Sequence, residues 1–323
     1  LTLPAACAGA AKRCLRIARE FASERIQWGG PIGKHEQIAQ KLAFIASHAF
    51  AMESMAFYAA QLVDRGGFDI RLEAAMAKMF CSEGFWNIVN ETLQIRSGRG
   101  YETAQSLKAR GEPGVPIERA LRDSRINTIF EGTSEIMRLF ISREALDPHL
   151  KTAGDLLDPR APFGRKLKSA AKAGVFYAGW YPKLWNPFTS SVHIHRRLAP
   201  EIAFVERASR RLARALFHAM NVHQAKLERK QALLSRFVEI ATDLFAISTT
   251  CARAHELFSQ DPERHKDAIE LALVFSKDAR VRVANRFRAV RKNHDVETYR
   301  FAQKVLDGKL TWLEEGVVPF PVG

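Results

Sequence analysis

Apolar residues recur at helical spacing along most of this chain, and Gly or Pro pairs separate one amphipathic run from the next. Over Leu3–Ile26 one face carries Leu15, Ala18, Phe21, Ala22 and Ile26, while Lys12, Arg13, Arg16, Arg19 and Glu20 lie mostly elsewhere. Gly29-Gly30-Pro31 ends that run. His35–Asp64 repeats the pattern with Ile38, Leu42, Ile45, Ala49, Met52 and Met55, and Gly66-Gly67 stops it. Arg71–Ile95 carries Ala75, Met79, Phe80, Phe85 and Val89. An irregular stretch rich in Gly and Pro, Ser97–Pro116, leads to a short helix near Ile117–Asp123 and a helix over Ser134–Leu146.

Asp147-Pro148 and Asp158-Pro159-Arg160-Ala161-Pro162 read as a linker, because the residue before a proline avoids the helical region. Helical spacing resumes over Pro200–Gln224, Glu228–Phe258 and Pro262–Leu306. Period-two alternation is hard to find, so the expected fold class is all-α: a helical bundle over residues 1–150, then a second helical unit over 151–323.

Composition changes this picture little, but charge does. Hydrophobic content of 47% with 26% charged residues is ordinary for a globular chain. No run of 18 consecutive apolar residues appears, so a spanning helix is not expected. Cys7, Cys14, Cys81 and Cys251 form no Cys-x-x-Cys pair and read as core thiols of a reducing compartment. Residues 1–150 hold 19 Lys and Arg against 17 Asp and Glu, whereas residues 151–323 hold 30 against 18. Nearly all the basicity therefore lies in the second unit, which points to an anionic membrane surface, nucleic acid or an acidic partner there. Leu1–Ala11 already has the character of a helix interior, as expected for a piece of a longer protein.

One acid sits oddly in this pattern. Glu131 follows Ile129 and Phe130 and precedes Gly132, Thr133 and Ser134, where an amphipathic helix begins. Local sequence allows a helix-entry acid favoured by the helix dipole. It also allows a base that flanking apolar side chains desolvate and strengthen. Three segments then belong together: "ERIQWGGPIGKHEQIAQKLA" (24–43), "QIRSGRGYE" (94–102) and "RDSRINTIFEGTSEI" (122–136). In that order they resemble the C-terminal helical domain of the flavin-dependent acyl-CoA dehydrogenases, whose patterns read Arg-x-x-Phe-Gly, Gln-x-x-Gly-Gly-x-Gly-Tyr and Tyr/Phe-Glu-Gly-Thr. The likeness covers about residues 1–150, and the remainder resembles the extra helical domain of the very-long-chain branch.

The resemblance implies that Glu131 is the catalytic base, removing the α-proton of an acyl thioester while the β-hydride leaves for FAD. It implies that the Glu131 N–H polarises the thioester carbonyl, with Gly132 allowing close substrate approach. Thr133 and Glu135 are implied in FAD binding at the helix start, where a plain N-cap is an equally good local reading. Arg25, Gln27, Trp28 and His35 match a stretch meeting the FAD of a neighbouring subunit, though a lone Arg at a helix end also reads as a solvated cation. Gln94 and Gly98 match the other cross-subunit stretch, with Ser97 where Gly is expected, Arg96 unusual, and a helix C-cap as the local alternative. Trp28 stands where Phe is commoner, Glu36 where Gln is, and Glu135 where Gln or Asp is.

The implied partners are an acyl-CoA substrate, an electron-transfer flavoprotein as acceptor, and a second copy in a homodimer or dimer of dimers. The substrate-binding Asp and Arg of the family are expected before Leu1, with a flavin-cradling β-domain earlier still. The fragment is therefore not expected to turn over alone, and acyl chain length is not legible in it. The implied location is a bacterial cytoplasm or mitochondrial matrix, with peripheral contact at the inner membrane.

That contact is read from "FGRKLKSAAKAGVFYAGWYPKLWNPF" (163–188), where Lys166, Lys168 and Lys172 adjoin Phe176, Tyr177, Trp180, Tyr181 and Trp185. Basic residues beside interfacial aromatics suit an anionic bilayer; an aromatic stripe packed on the bundle is the alternative. No nucleic-acid module accompanies the charge, so nucleic acid is not an expected partner. His193-x-His195 lacks a nearby acidic or Cys third ligand and is read as surface histidines, not a metal site. A rival from another class is a non-catalytic helical scaffold with a basic membrane-binding tail, which has no need of Glu131.

Overall fold

Small residues decide how the first helices meet. Cys7, Ala8, Ala11, Cys14, Ala18 and Ala22 form the buried stripe of α1 (Thr2–Glu24), letting its backbone approach its neighbours closely. Those neighbours are α2 (Glu36–Arg65) and α3 (Arg71–Arg96). Lys12 pairs with Glu53 and Lys41 with Glu91, so α2 runs antiparallel to both, and α1 and α3 run the same way. The computed structural model describes residues 1–67, 69–157 and 160–317. Nearly all secondary structure among them is helical, in agreement with the all-α expectation.

Between α1 and α2 lies a two-residue hairpin, β1 (Ile26–Gln27) paired antiparallel with β2 (Gly30–Pro31). The stretch read as irregular holds two short helices, α4 (Gly98–Tyr101) and α5 (Ala104–Ala109), before α6 (Ile117–Ile126). α7 spans Ser134–Leu157 and does not stop at Asp147 as expected. Its buried face continues past Pro148 through His149 and Thr152, and the Thr152 hydroxyl donates to the Pro148 carbonyl at 2.8 Å. Of the other linker positions, Asp158 and Pro159 lie outside the described residues, and Arg160-Ala161-Pro162 are non-helical and lead into the next helix.

The second half holds α8 (Phe163–Trp180), α9 (Ala199–His223), α10 (Gln231–Gln260), α11 (Lys266–Arg291) and α12 (Asp295–Leu306). The run expected as one helix over Pro262–Leu306 is split by Asn293. Its amide donates to Ala289 O at 3.1 Å and its side-chain oxygen accepts the Asp295 N–H at 3.3 Å, ending α11 and starting α12.

α10 and α11 share one buried cluster with the first half, in which Met55, Ala75 and Met79 join Val238, Ile247, Cys251 and Phe275. α2 is, by length and composition, apolar enough to cross a bilayer despite lacking a continuous apolar run. More than half of its most apolar stretch is buried, as for a core helix.

Candidate active site

The turn between α6 and α7 is held in an uncommon backbone conformation. Glu131 has φ +53° and Gly132 φ +91°, so two consecutive residues occupy positive φ. For a residue with a Cβ this costs about 1–2 kcal/mol, and it persists only where surrounding bonds fix it. The Ser134 N–H donates to Thr128 O at 3.0 Å, closing the turn. Lys78, from α3, donates its ammonium to Phe130 O at 3.2 Å and to Gly132 O at 2.6 Å, the two carbonyls on either side of Glu131.

Lys78 is a functional candidate that the sequence reading missed. Its signal was a lone cation inside the apolar run "AAMAKMF" (74–80). The residue is only 8% exposed. Desolvation by burial lowers its pKa, against which the charge of Glu131 acts first, then Cys7 and Glu83.

Glu131 itself is exposed. Ile129 and Phe130 are 48% and 39% exposed, so they do not bury the carboxylate as expected. Neighbours along a turn need not share a face, and desolvation must come from what sits on this surface. Among the described residues, the Glu131 carboxylate has no hydrogen-bond partner, and the N–H groups of Glu131, Gly132 and Thr133 have none.

At the start of α7 the Thr133 hydroxyl accepts the Ile136 N–H at 3.3 Å, as an N-cap does. Its own N–H and the Thr133 hydroxyl hold the Glu135 carboxyl below its ordinary range. Ser134 is 7% exposed, yet its Oγ is buried without a partner. It lines a cleft of about 540 Å³ with Thr133, Glu135, Arg125, Trp86 and, from α10, Glu239. Arg125 lies over the Trp86 ring at 5.3 Å and donates to Thr128 Oγ1 at 2.8 Å.

Arg138, one turn into α7, fixes this helix start from the other side. Its guanidinium donates to Ser134 O at 3.1 Å, to Glu83 at 2.8 and 3.1 Å, and to Glu239 at 3.1 Å. Burial lowers its pKa, but Glu83 and Glu239 outweigh that and raise it. The second half of the chain thus reaches the start of α7 through Glu239 and Arg138.

The other candidates gather elsewhere. Arg25 is the C-cap of α1, and its carbonyl accepts the Ile32 N–H at 2.8 Å. Trp28, φ +50°, is 91% exposed, with its ring 5.8 Å from that of His35. His35 Nε2 lies 3.1 Å from Gln27 O. Gln94 is exposed near the end of α3, and Ser97 caps it at φ +55°, a position suited to Gly. A Cβ on Gly98 would meet nothing, whereas one on Gly100 would lie 2.4 Å from Leu93 O. Gly98 is therefore free for an outside group and Gly100 is required by its own chain. Arg96 sits over the Phe21 ring at 5.0 Å, bringing this stretch beside the end of α1. Between Lys78 and Arg96, α3 covers about 27 Å at the helical rise, so the Glu131 turn and the Arg25–Gly98 group sit toward opposite ends of α3.

In the basic segment, Trp180 is half-buried, stacked near Phe176 and edge-on to His149 and Phe217. Its aromatic stripe thus packs on α7 and α9. Lys166 is half-buried, Lys168 exposed, and Lys172 donates to Lys151 O at 3.3 Å.

Comparison with known proteins agrees with these motifs. Residues 1–146 match the family described as acyl-CoA dehydrogenase, C-terminal domain, and residues 196–308 match the ACAD9/ACADV C-terminal domain. The chain is 48% identical over 321 residues to the probable acyl-CoA dehydrogenase FadE10 of Mycobacterium tuberculosis, covering 98% of this chain and 49% of that protein. It is 32% identical over 262 residues to the mitochondrial very long-chain specific acyl-CoA dehydrogenase of Homo sapiens, covering 80% of this chain and 38% of that protein. A Bacillus anthracis acyl-CoA dehydrogenase crystallised with FAD shares the fold at a TM-score of 0.67 and 23% identity, over 99% of this chain and 52% of that one. The chain spans about half the length of the first of these relatives. Two family domains in series, on helices that carry all three motifs, make this chain a member of the acyl-CoA dehydrogenase family, comprising its C-terminal helical domain and the extension of the very-long-chain branch.

Proposed function

We propose that the full-length protein is an FAD-dependent acyl-CoA dehydrogenase acting on long-chain substrates, with Glu131 as its base. The observation that carries this is the Glu131–Gly132 turn. Among the described residues, a carboxylate without a hydrogen bond there adjoins N–H groups without partners, in a backbone held at positive φ. An acyl thioester seated on it meets both a base for its α-proton and a donor for its carbonyl.

The residues fit the cofactor that the family implies. The orphaned Ser134 hydroxyl and the polar cleft with Thr133, Glu135 and Arg125 suit an oxygen-rich group. When bound, FAD supplies the hydride acceptor. Thr133 and Glu135 line one half of its site, while Arg25, Gln27, Trp28, His35, Gln94 and Gly98 present another half toward the opposite end of α3. Such a separation supports a site shared between two copies, hence a homodimer or dimer of dimers. An electron-transfer flavoprotein is the proposed acceptor. Four free, buried cysteines support a reducing compartment, bacterial cytoplasm or mitochondrial matrix.

The full-length protein is expected to carry flavin whose absorbance is bleached by a long-chain acyl-CoA under anaerobic conditions. A flavin-free protein that never bleaches supports the scaffold reading instead.

A second reading concerns the surface of α8. Phe163, Leu167 and Val175 are 81%, 63% and 79% exposed along one side of the helix, with Arg165 and Lys168 nearby. An exposed apolar stripe with basic flanks suits peripheral contact with an anionic bilayer. It replaces the Trp180 stripe as the apolar contact. Binding to phosphatidylglycerol-rich liposomes is expected to be salt-sensitive and lost in a Leu167→Glu, Val175→Glu, Lys168→Glu variant. Unchanged sedimentation removes the membrane contact.

A further inference from the structure

Lys78 has no role in the reading above, yet the molecule invests a buried cation in it. An ammonium removed from water needs compensation, and a lysine ordinarily finds it in a carboxylate. Here the hydrogen-bonded partners are backbone carbonyls, those of Phe130 and Gly132. They flank the residue whose φ is +53°. Other bonds hold the turn at its ends, Phe130 N–H on Ile126 O, Ser134 N–H on Thr128 O and Arg138 on Ser134 O, and leave the carbonyls beside Glu131 to Lys78 alone among the described residues.

We propose that Lys78 is a positioning residue for the base: its ammonium clasps the carbonyls before and after Glu131, fixes the left-handed turn, and keeps a positive charge beside the carboxylate. This rests on the reading of Glu131 as the base. The clasp fixes the Glu131 backbone to α3, a rigid helix, so the carboxylate and the Glu131 N–H keep a set relation to one another and to whatever lies on the turn. Lys78 has three donors and the carbonyls take two of them. The groups facing its charge are Glu131 on the turn, Glu83 on α3 and Cys7 on α1. Glu83 is already paired with Arg138 at 2.8 Å, and burial pushes the Cys7 thiol up to about 11, leaving it neutral. The field of Lys78 therefore acts chiefly on Glu131.

Two consequences separate this role from mere packing. Loss of the clasp lets the carboxylate leave its set position, so the rate of proton removal falls while flavin binding is kept. A loosened turn also opens its bonded amides more often, those of Phe130 on Ile126 O and Ser134 on Thr128 O.

The test uses full-length Lys78→Met, Lys78→Arg and Glu131→Gln proteins. Single-turnover flavin reduction by acyl-CoA in Lys78→Met is expected to fall roughly 10- to 100-fold, with flavin content unchanged. Hydrogen exchange should speed up at the bonded amides of Phe130 and Ser134 in the flavin-free protein. Lys78→Arg, which retains charge and donors, should restore much of the rate. Should Lys78→Met fail to fold, Lys78→Gln stands in with the same expected loss of rate. A normal rate and unchanged exchange in the neutral variant overturn the Lys78 proposal while Glu131→Gln stays inactive. An active Glu131→Gln overturns the assignment of the base itself.

Discussion

Full-length protein carrying Glu131→Gln should retain its fold and flavin but reduce that flavin with acyl-CoA roughly 10²–10⁴-fold more slowly. The size follows from what an amide cannot do. Gln keeps the volume and polarity of Glu but has no lone pair basic enough to accept a proton from a weak carbon acid. The fold should survive because the carboxylate is exposed and carries no hydrogen bond among the described residues. Lys78 bonds the backbone on either side rather than the side chain, so the turn keeps its fastening. Rapid-mixing measurement of flavin bleaching checks the rate, and solvent deuterium uptake at the substrate α-carbon checks the step. A normal rate refutes the role of Glu131.

How much of this site was legible in the sequence depends on the range of the interaction. Gly66-Gly67 marked a helix end because backbone preference is local, whereas the cap read at Gly98 falls one residue earlier, at Ser97. Glu131-Gly132-Thr133 stood out because an acid and a helix break adjoin. Neither the positive φ of Glu131 nor its exposure followed from its neighbours, since both are set by contacts from elsewhere. Lys78 lies far from residues 130 and 132 along the chain, and Arg138 is farther still from Glu239. One sequence does not encode such pairings in any periodicity. The end of α7 was misjudged because a proline was weighed against helix while the buried face through His149 and Thr152 was not. Membrane-facing and packed readings of the Trp180 stripe both stayed open because aromatic content does not say which way a stripe faces. Only the packing of α8 on α7 and α9 decides that.

The largest effect on stability is expected at Asp243, which no motif marks. It is 3% exposed on α10 and accepts from Arg282 at 2.8 Å and from Arg286, both on α11. Arg286 also donates to Glu239 at 2.8 Å, which holds Arg138 at the start of α7. A ladder of alternating charge thus runs from α11 to the start of α7. Asp243→Ala leaves two guanidinium groups side by side without their shared anion. Breaking a buried pair from one side costs about 3–5 kcal/mol. The low end, about 3 kcal/mol, applies because the side chains of Arg282 and Arg286 are 32% and 26% exposed and draw on water. By contrast, removing Glu20 from its pair with Arg16, at 44% and 75% exposure, should cost under about 1 kcal/mol. Urea denaturation of both variants measures the difference, and a loss at Asp243 no larger than at Glu20 defeats the expectation. A cycle with Arg138→Ala then asks whether the ladder acts as a unit. Additivity within about 0.5 kcal/mol means independent pairs, and a larger coupling means that α11 bears on the helix start behind Glu131.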